Sequence, residues 1–449
     1  MCLHEVYRRK GERMLKRKVE SEFQRWLDAP QSTALLVSGA RQVGKTFSLK
    51  QFASEHFENV VTIDFVEQPE MVGIFQRPQS AKEILQRLSL VSDAPLVPGR
   101  TVIFFDEVQE CPEIVTAIKY LVDEGSFRYL LSGSQLGVEL EDIRSVPVGY
   151  TTGIRMYPLD FEEFCWSQGV GEGAFEELRA CLAERCPVDE FIHERLKGLY
   201  TKYLIIGGMP AAVESFDGAD LSRVRTVQQN IREQYRHDIS KYAPKERRLE
   251  IKEIYDLVPS ELNNPNKRFI LSKLDVNARF RSYQSDFLWL AASGVALPCY
   301  NVDAPEAPLL LSKKRNLFKL FYSDVGLLTS SFSRSVSLDL LSDRQDVNYG
   351  CVFENAVAQE LAAHGFDLFY YNSKKYGELD FVAQDRNDRV IPIEVKSGKS
   401  YKRHAALNNV MDVENYHLEQ GYVLGPCNVE VEGKVVYLPV YMAGLMENE

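Results

Sequence analysis

The stretch SGARQVGKTFSLK, Ser38 to Lys50, follows the apolar run Ala34-Leu35-Leu36-Val37. Gly39, then four residues, then Gly44-Lys45-Thr46 is the spacing of a phosphate-cradling loop set between a strand and a helix. A polyphosphate is held by backbone N–H groups, and glycines without a Cβ let the chain come close. Gly39, Ala40, Arg41, Gln42, Val43 and Gly44 supply that backbone. The helix that starts near Thr46 turns its positive end toward the phosphates. Lys45 is the cation for the β- and γ-phosphates, and the Thr46 hydroxyl is the candidate Mg²⁺ ligand. The implied ligands are therefore ATP and Mg²⁺.

A second motif, TVIFFDEVQE from Thr101 to Glu110, supports this reading. Val102-Ile103-Phe104-Phe105 is an unbroken apolar run, as in a parallel strand buried on both faces. Asp106 and Glu107 stand at its carboxyl end, where ligands bind in open α/β sheets. Asp106 is assigned to the metal shell and Glu107 to the attacking water. A third strand, Arg128-Tyr129-Leu130-Leu131, leads into Ser132-Gly133-Ser134-Gln135. Ser134, ahead of Gln135, is the candidate for orienting the water or sensing the γ-phosphate.

Strand and helix patterns alternate over residues 31–165, with strands expected at Ala34–Val37, Val60–Phe65, Val102–Phe105, Arg128–Leu131 and Ile154–Tyr157. Such alternation predicts an α/β fold with a parallel sheet. Four segments are expected: a P-loop ATPase domain at 1–165, a helical connector at 166–240, a winged-helix-like domain at 241–340 and a further α/β domain at 341–449. In the third, helices are expected over Ile251–Val258, Lys267–Leu274 and Arg279–Ser293, and wing strands at Leu309–Leu311 and Leu317–Leu320.

The chain has 449 residues and a net charge of −11. Its basic residues are unevenly spread: positions 241–320 hold fourteen Lys/Arg against nine Asp/Glu. A basic segment in an acidic chain points to an anionic partner, with DNA first. Arg279, Arg281 and the Lys313-Lys314-Arg315 group are its candidate contacts. The N-terminal cluster that includes Lys16-Arg17-Lys18 reads instead as a solvated helix face. No apolar run approaches the ~18 residues of a membrane helix. The first residues lack the apolar segment of a signal peptide, so the chain reads as cytoplasmic, without a membrane partner. The eight cysteines contain no Cys-x-x-Cys pair, which points to neither a zinc site nor a disulfide framework.

A second set of carboxylates lies near the C-terminus. GELDFV (Gly377–Val382) and VIPIEVK (Val390–Lys396) read as a hairpin, preceded by an amphipathic helix that carries Glu354. Glu394 and Lys396 share one face of a strand. Asp380 and Glu354 can join them, giving oxygen ligands for a divalent metal and a lysine for metal-dependent phosphodiester cleavage. Pro392 is awkward inside this strand, because it has no N–H to donate.

The motifs GARQVGKT, VIFFDEVQE, LLSGS, YPLDFEEF, GGMP, FKLFYSDVGLL, FEN, ELDFV and IPIEVKSGK together resemble a large group of bacterial and archaeal AAA-type ATPases with a C-terminal domain of unknown function. The resemblance implies an AAA-like P-loop domain, a winged helix and a restriction-endonuclease-like domain of the PD-(D/E)xK type. In that type Asp380, Glu394 and Lys396 match the core and Glu354 the preceding helix. Relatives often have Gly-Arg where this chain has Gly149-Tyr150, which leaves Arg144 and Arg155 as substitutes for a γ-phosphate arginine. AAA-type relatives often form rings, so the resemblance also admits an oligomer. The leading functional expectation is an ATP-dependent, DNA-linked switch or motor. Its rival is an ATP-regulated protein-binding module whose nuclease-like domain is inactive.

Overall fold

The structure, a computed structural model, describes residues 15–30, 33–76, 80–134, 149–218, 220–275, 279–342, 349–446 and 448. Gln135 and Arg144 lie outside the described residues. Two compact units are distinguished: Met1–Tyr157 with Ala292–Gly294, and Pro158–Ala291 with Val295–Glu449.

The first unit is an α/β sandwich. Its helices are α1 (Val19–Asp28), α2 (Lys45–His56), α3 (Ala81–Val91) and α4 (Pro112–Glu124). Its strands are β1 (Ala34–Ser38), β2 (Asn59–Asp64), β3 (Thr101–Asp106), β4 (Arg128–Gly133) and β5 (Thr151–Arg155), in the order β2-β3-β4-β1-β5. Every pairing is parallel. β1 lies between β4 and β5, while the chain leaves it through α2 for β2 at the far edge. That change of direction opens a crevice beyond the strand ends, the usual ligand position in such sheets. All six residues of β3 are buried. Ile103 and Phe105 face a core of Val61, Ile63, Phe65, Phe75, Ile118 and Tyr129. β5 begins three residues earlier than its apolar end suggests, because Thr151 and Thr152 already pair with Ala34 and Leu35.

The second unit starts with helices: α5 (Phe161–Ser167), α6 (Glu172–Glu184), α7 (Glu190–Ile206), α8 (Pro210–Ser215), α9 (Leu221–Tyr242), α10 (Arg248–Leu262) and α11 (Phe280–Ala292). The hairpin β6 (Ala296–Val302) and β7 (Lys313–Tyr322) follows, then α12 (Val325–Ser331), α13 (Arg334–Leu341) and α14 (Gly350–Ala363). The chain finishes with β8 (Phe369–Ser373), β9 (Gly377–Gln384), β10 (Val390–Val395), α15 (Ala405–Met411), β11 (Gly421–Gly425), β12 (Glu430–Glu432) and β13 (Val435–Pro439). The strands form one mixed sheet, in the order β12-β13-β11-β10-β9-β8-β6-β7.

Three local expectations are corrected here. Lys267–Leu274 contains only the short 3₁₀ turn Leu271–Lys273. Leu309–Leu311, expected as a wing strand, lies in another 3₁₀ turn, Leu309–Ser312. The strand that pairs with β7 is β6, and through its parallel pairing with β8 the hairpin belongs to the large sheet. Three leucines with no alternating polar residue carry no strand period, so the hairpin partner was hidden in the apolar run before Val302. Pro392 is accommodated because it faces Val382 of β9, and pairing with β11 begins only at Ile393.

Two conspicuous glycine motifs serve packing. A Cβ on Gly208 would lie 1.9 Å from the Leu159 carbonyl oxygen, and one on Gly207 (φ 73°) would lie 2.3 Å from Asp324 Oδ1. Asp324 caps α12 through Leu327 N (2.9 Å) and also accepts from Gly208 N (2.6 Å). The GGMP and SDVGLL segments are thus two halves of one buried joint.

Candidate active site

β1 ends at Ser38 and the chain turns through Gly39 at φ 144°. A side chain there would put its Cβ 2.2 Å from the Met156 carbonyl oxygen, so only glycine fits. Gly44, at φ 99°, precedes the first residue of α2. Both glycines of the motif are therefore required, one for space and conformation and the other for conformation. Ala40 and Val43 are buried and anchor the loop to the core. Gln42 also takes a positive φ of 65°, while Arg41 is half-buried. Lys45 is 6% exposed, and its Nζ donates to the carbonyls of Gly39 (2.9 Å) and Ala40 (2.8 Å). The ammonium is thereby held inside the loop it is expected to serve.

Thr46, on the first turn of α2, donates from Oγ1 to Asp106 Oδ1 at 3.2 Å. Ser132 donates to the same oxygen, which also accepts from Glu107 N at 3.1 Å. Burial pushes the Asp106 carboxyl up; hydrogen bonds from Ser132 and Thr46 hold it down, and neighbouring Glu107 and Asp64 add to the rise. A buried carboxylate beside a threonine hydroxyl is a hard oxygen donor set of the kind Mg²⁺ takes, so these residues fit the implied cation. Glu107 is in the left-handed region at φ 53° and is half-buried. Its Oε2 accepts from Ser134 Oγ at 3.4 Å and from Gln109 Nε2. The structure therefore brings Thr46, Asp106, Glu107 and Ser134 together at the ends of neighbouring strands.

Sequence reasoning missed three participants. Arg17, read as part of a solvated face, is buried, and it donates to the carbonyls of Val43 and Tyr157 at 2.7 Å each. Ser132 stands two residues before Ser134, hence on the same side of the chain, and its alternation with Gly133 was the available signal. Gln109 lies two residues beyond Glu107 with no pattern to mark it. Arg155 is exposed, with its guanidinium 5.4 Å from the Tyr157 ring centre.

The C-terminal carboxylates are arranged differently from the expectation. Glu354 on α14, Asp380 on β9 and Glu394 on β10 do share a neighbourhood, but two lysines enter it. Lys319, fully buried on β7, reaches Glu378 at 3.0 Å, Glu354 at 3.6 Å and Asp380 at 3.9 Å. Lys267 pairs with the other oxygen of Glu354. Burial works against the charge on Lys319, yet Glu354, Asp380 and Glu378 outweigh it and raise its pKa. Asp380 Oδ2 accepts from Val395 N at 2.9 Å, and Lys396 pairs with Glu394 at 2.6 Å. Burial and then Asp380 push the Glu394 carboxyl up to about 7, with Lys396 opposing. Glu394 Oε2 is buried and makes no hydrogen bond. Each of the three expected ligands thus has an ammonium group within 3.9 Å; Lys396 beside Glu394 was expected, and Lys267 and Lys319 are the additions. The signal for Lys319 was its place within the apolar run Leu317-Phe318-Lys319-Leu320-Phe321, where a lysine needs a buried counter-charge.

The basic segment is also largely engaged within the protein. Arg247 pairs with Asp286, Arg268 with Glu378, Lys273 with Glu261 and Lys314 with Asp303. Lys313 lies over the Tyr300 ring. Arg279, Arg281 and Arg315 are exposed.

Residues 31–165 match the family model described as an AAA domain. The parallel sheet and the glycine-turned phosphate loop of these residues agree with that description. Residues 197–337 and 349–442 match two further models, each described as a domain of unknown function. No curated protein sequence matches the chain. Among solved structures, the chain is similar to the Walker-type ATPase PABY2304 of Pyrococcus abyssi at 16% identity and TM-score 0.42, covering 72% of this chain and 98% of that one. It is also similar to the Aeropyrum pernix ORC1 protein, solved in complex with DNA, at 14% identity and TM-score 0.26 over 73% and 92% of the two chains. A third is Cdc6p from Pyrobaculum aerophilum, at 14% identity and TM-score 0.27 over 74% and 96%. No described helix is long and apolar enough to cross a membrane.

Proposed function

We propose that this chain is a Mg²⁺-dependent ATP hydrolase that works as a nucleotide-driven switch in the cytoplasm. The observation that carries the reading is Thr46 Oγ1 at 3.2 Å from Asp106 Oδ1, with Glu107 next in the chain. That juxtaposition couples the phosphate loop to a second acidic strand, which nucleotide binding alone does not require. The loop N–H groups and Lys45 bind and orient the phosphates. Thr46 and Asp106 would hold Mg²⁺, which neutralises phosphate charge when bound. Glu107, steadied by Ser134 and Gln109, takes the water's proton at its carboxylate as the water aligns with the γ-phosphate. The test is ATP turnover by the full chain. Lys45→Ala should abolish turnover and weaken nucleotide binding. Glu107→Gln should retain binding and lose turnover. Equal turnover by wild type and Glu107→Gln refutes the assignment.

For the C-terminal sheet we favour a nuclease-like fold used for recognition. Its support is the β9–β10 hairpin, which carries Asp380 and the Glu394-x-Lys396 pair beside a helix with Glu354. Lys319 and Lys267, placed among those carboxylates, favour the inactive form. The DNA reading rests on the exposed Arg279, Arg281 and Arg315. Binding to unrelated duplexes that falls steeply with salt, and falls again when the three are changed to Glu, would support it. Strand cleavage with Mg²⁺ or Mn²⁺ that Asp380→Ala removes would overturn the inactive reading.

A further inference from the structure

A different group of side chains has the composition and spacing of a metal centre. Among the described residues, Asp160, Glu360 and His364 bring one ligand atom each to within 4.8 Å of one another. Asp160 is the N-cap of α5; Glu360 and His364 are one turn apart, on α14 and just beyond its end. We propose that these three residues bind Zn²⁺ and tie the start of α5 to the end of α14.

The argument begins with hydrogen bonds. His364 Nδ1 lies 2.8 Å from the Glu360 carbonyl oxygen, which can only accept, so Nδ1 carries the proton. A metal-binding histidine is usually oriented in this way by a carbonyl or carboxylate on its second nitrogen. Nε2 then faces Asp160 Oδ2 at 3.3 Å. Two ligands each ~2.0–2.1 Å from a tetrahedral Zn²⁺ lie about 3.3 Å apart. The other oxygen of Asp160 accepts from Glu163 N at 2.8 Å. Glu360 Oε1 accepts from Phe161 N (2.9 Å) and the Tyr203 hydroxyl (3.0 Å). The protein thus holds one oxygen of each carboxylate by fixed donors.

Charge points the same way. Asp160 and Glu360 are buried, at 5% and 2% exposure, and His364 is at the partly exposed rim. A divalent cation beside a neutral histidine would offset the charge of the two buried carboxylates. Space is reserved as well. A Cβ on Gly444 would come within 2.3 Å of Glu360 Oε2 and 3.0 Å of His364 Cε1. Gly444 has no positive φ to explain it.

The test uses the full chain without nucleotide, stripped with chelator and titrated with Zn²⁺ by calorimetry, with bound metal counted by mass spectrometry. About one equivalent should bind, and the unfolding midpoint should rise with zinc and fall again with chelator. His364→Ala and Gly444→Ala should each weaken binding at least about tenfold, as losses of metal-ligand geometry do. Asp106→Asn and Asp380→Asn should leave it unchanged, which separates this site from the other two. No uptake by the wild type overturns the proposal, whatever the variants do. So does uptake that His364→Ala leaves intact. A midpoint that ignores zinc but falls as pH rises through the histidine range would identify an imidazolium–carboxylate pair instead, and would equally overturn it.

Discussion

Arg17 Nη1 donates to the Val43 carbonyl at 2.7 Å, across twenty-six residues of chain. The same guanidinium reaches the Tyr157 carbonyl, beside the Met156 backbone that confines Gly39. One buried arginine thereby pins the phosphate loop from behind. The shape of the loop decides where its N–H groups point, so this distant residue contributes to nucleotide affinity through position alone. Hydrogen bonds from a charged group are worth about 1.5–3 kcal/mol. Arg17→Met should therefore weaken binding of a non-hydrolysable ATP analogue about tenfold or more, measured by fluorescence titration. An unchanged affinity would show that the loop holds its shape without the clamp.

Ser132 and Ser134 should separate two functions. Ser132→Ala removes a hydrogen bond that keeps the Asp106 carboxyl down, so more of it is protonated and competes with Mg²⁺. The Mg²⁺ midpoint for turnover should rise, and the rise should grow as pH falls and shrink as pH increases. Ser134→Ala releases Glu107 and should lower kcat with little change in the Mg²⁺ midpoint. Identical behaviour of the two variants in a Mg²⁺ titration would argue against this division.

Asp324 predicts a pH effect on stability. It is fully buried, and burial raises its carboxyl to about 6, against hydrogen bonds from Gly208, Leu327, Gly326 and Met209 N–H groups. The fold favours the protonated form, so this group's contribution is complete below its ordinary value of 3.8 and is lost as pH rises toward about 6. Asp324→Asn should lower stability overall, since an amide N–H would meet an N–H donor, but flatten the pH dependence over this window. Urea unfolding across pH 4 to 7 is the measurement, and parallel curves for the two proteins would contradict it.

Lys319 is fully buried and offsets the charge of buried Glu354 and of the partly exposed Glu378 and Asp380. Lys319→Met leaves Glu354 paired with Lys267 and Glu378 with Arg268, and removes the ammonium nearest Asp380. Removing one partner of a buried charge set costs about 3–5 kcal/mol. Burial already raises the Glu354 carboxyl, so the variant should be least stable at high pH and recover partly as the carboxylates protonate. Thermal unfolding at acidic and alkaline pH tests this. A variant as stable as wild type at both would mean that the carboxylates are neutral without the lysine.

How much was legible follows the range of the interactions. Gly39, Gly44, Lys45 and Thr46, and Asp106 with Glu107, form local patterns, because a strand, a tight turn and a helix start within a few residues impose their own spacing. The amino-acid sequence alone therefore determined the parallel α/β class of the first unit, the order of its strands along the chain and the residues of its phosphate loop. It also determined that Asp380, Glu394 and Glu354 are carried by a hairpin and a helix. Tertiary structure decided which distant residues complete each site. Arg17 under the loop, Ser132 on Asp106, Lys319 among the C-terminal carboxylates and Asp160 beside His364 are contacts across tens to hundreds of residues. No local period encodes them. It also decided that much of the basic segment's positive charge is spent on internal ion pairs, since composition counts charges while only the folded chain pairs them.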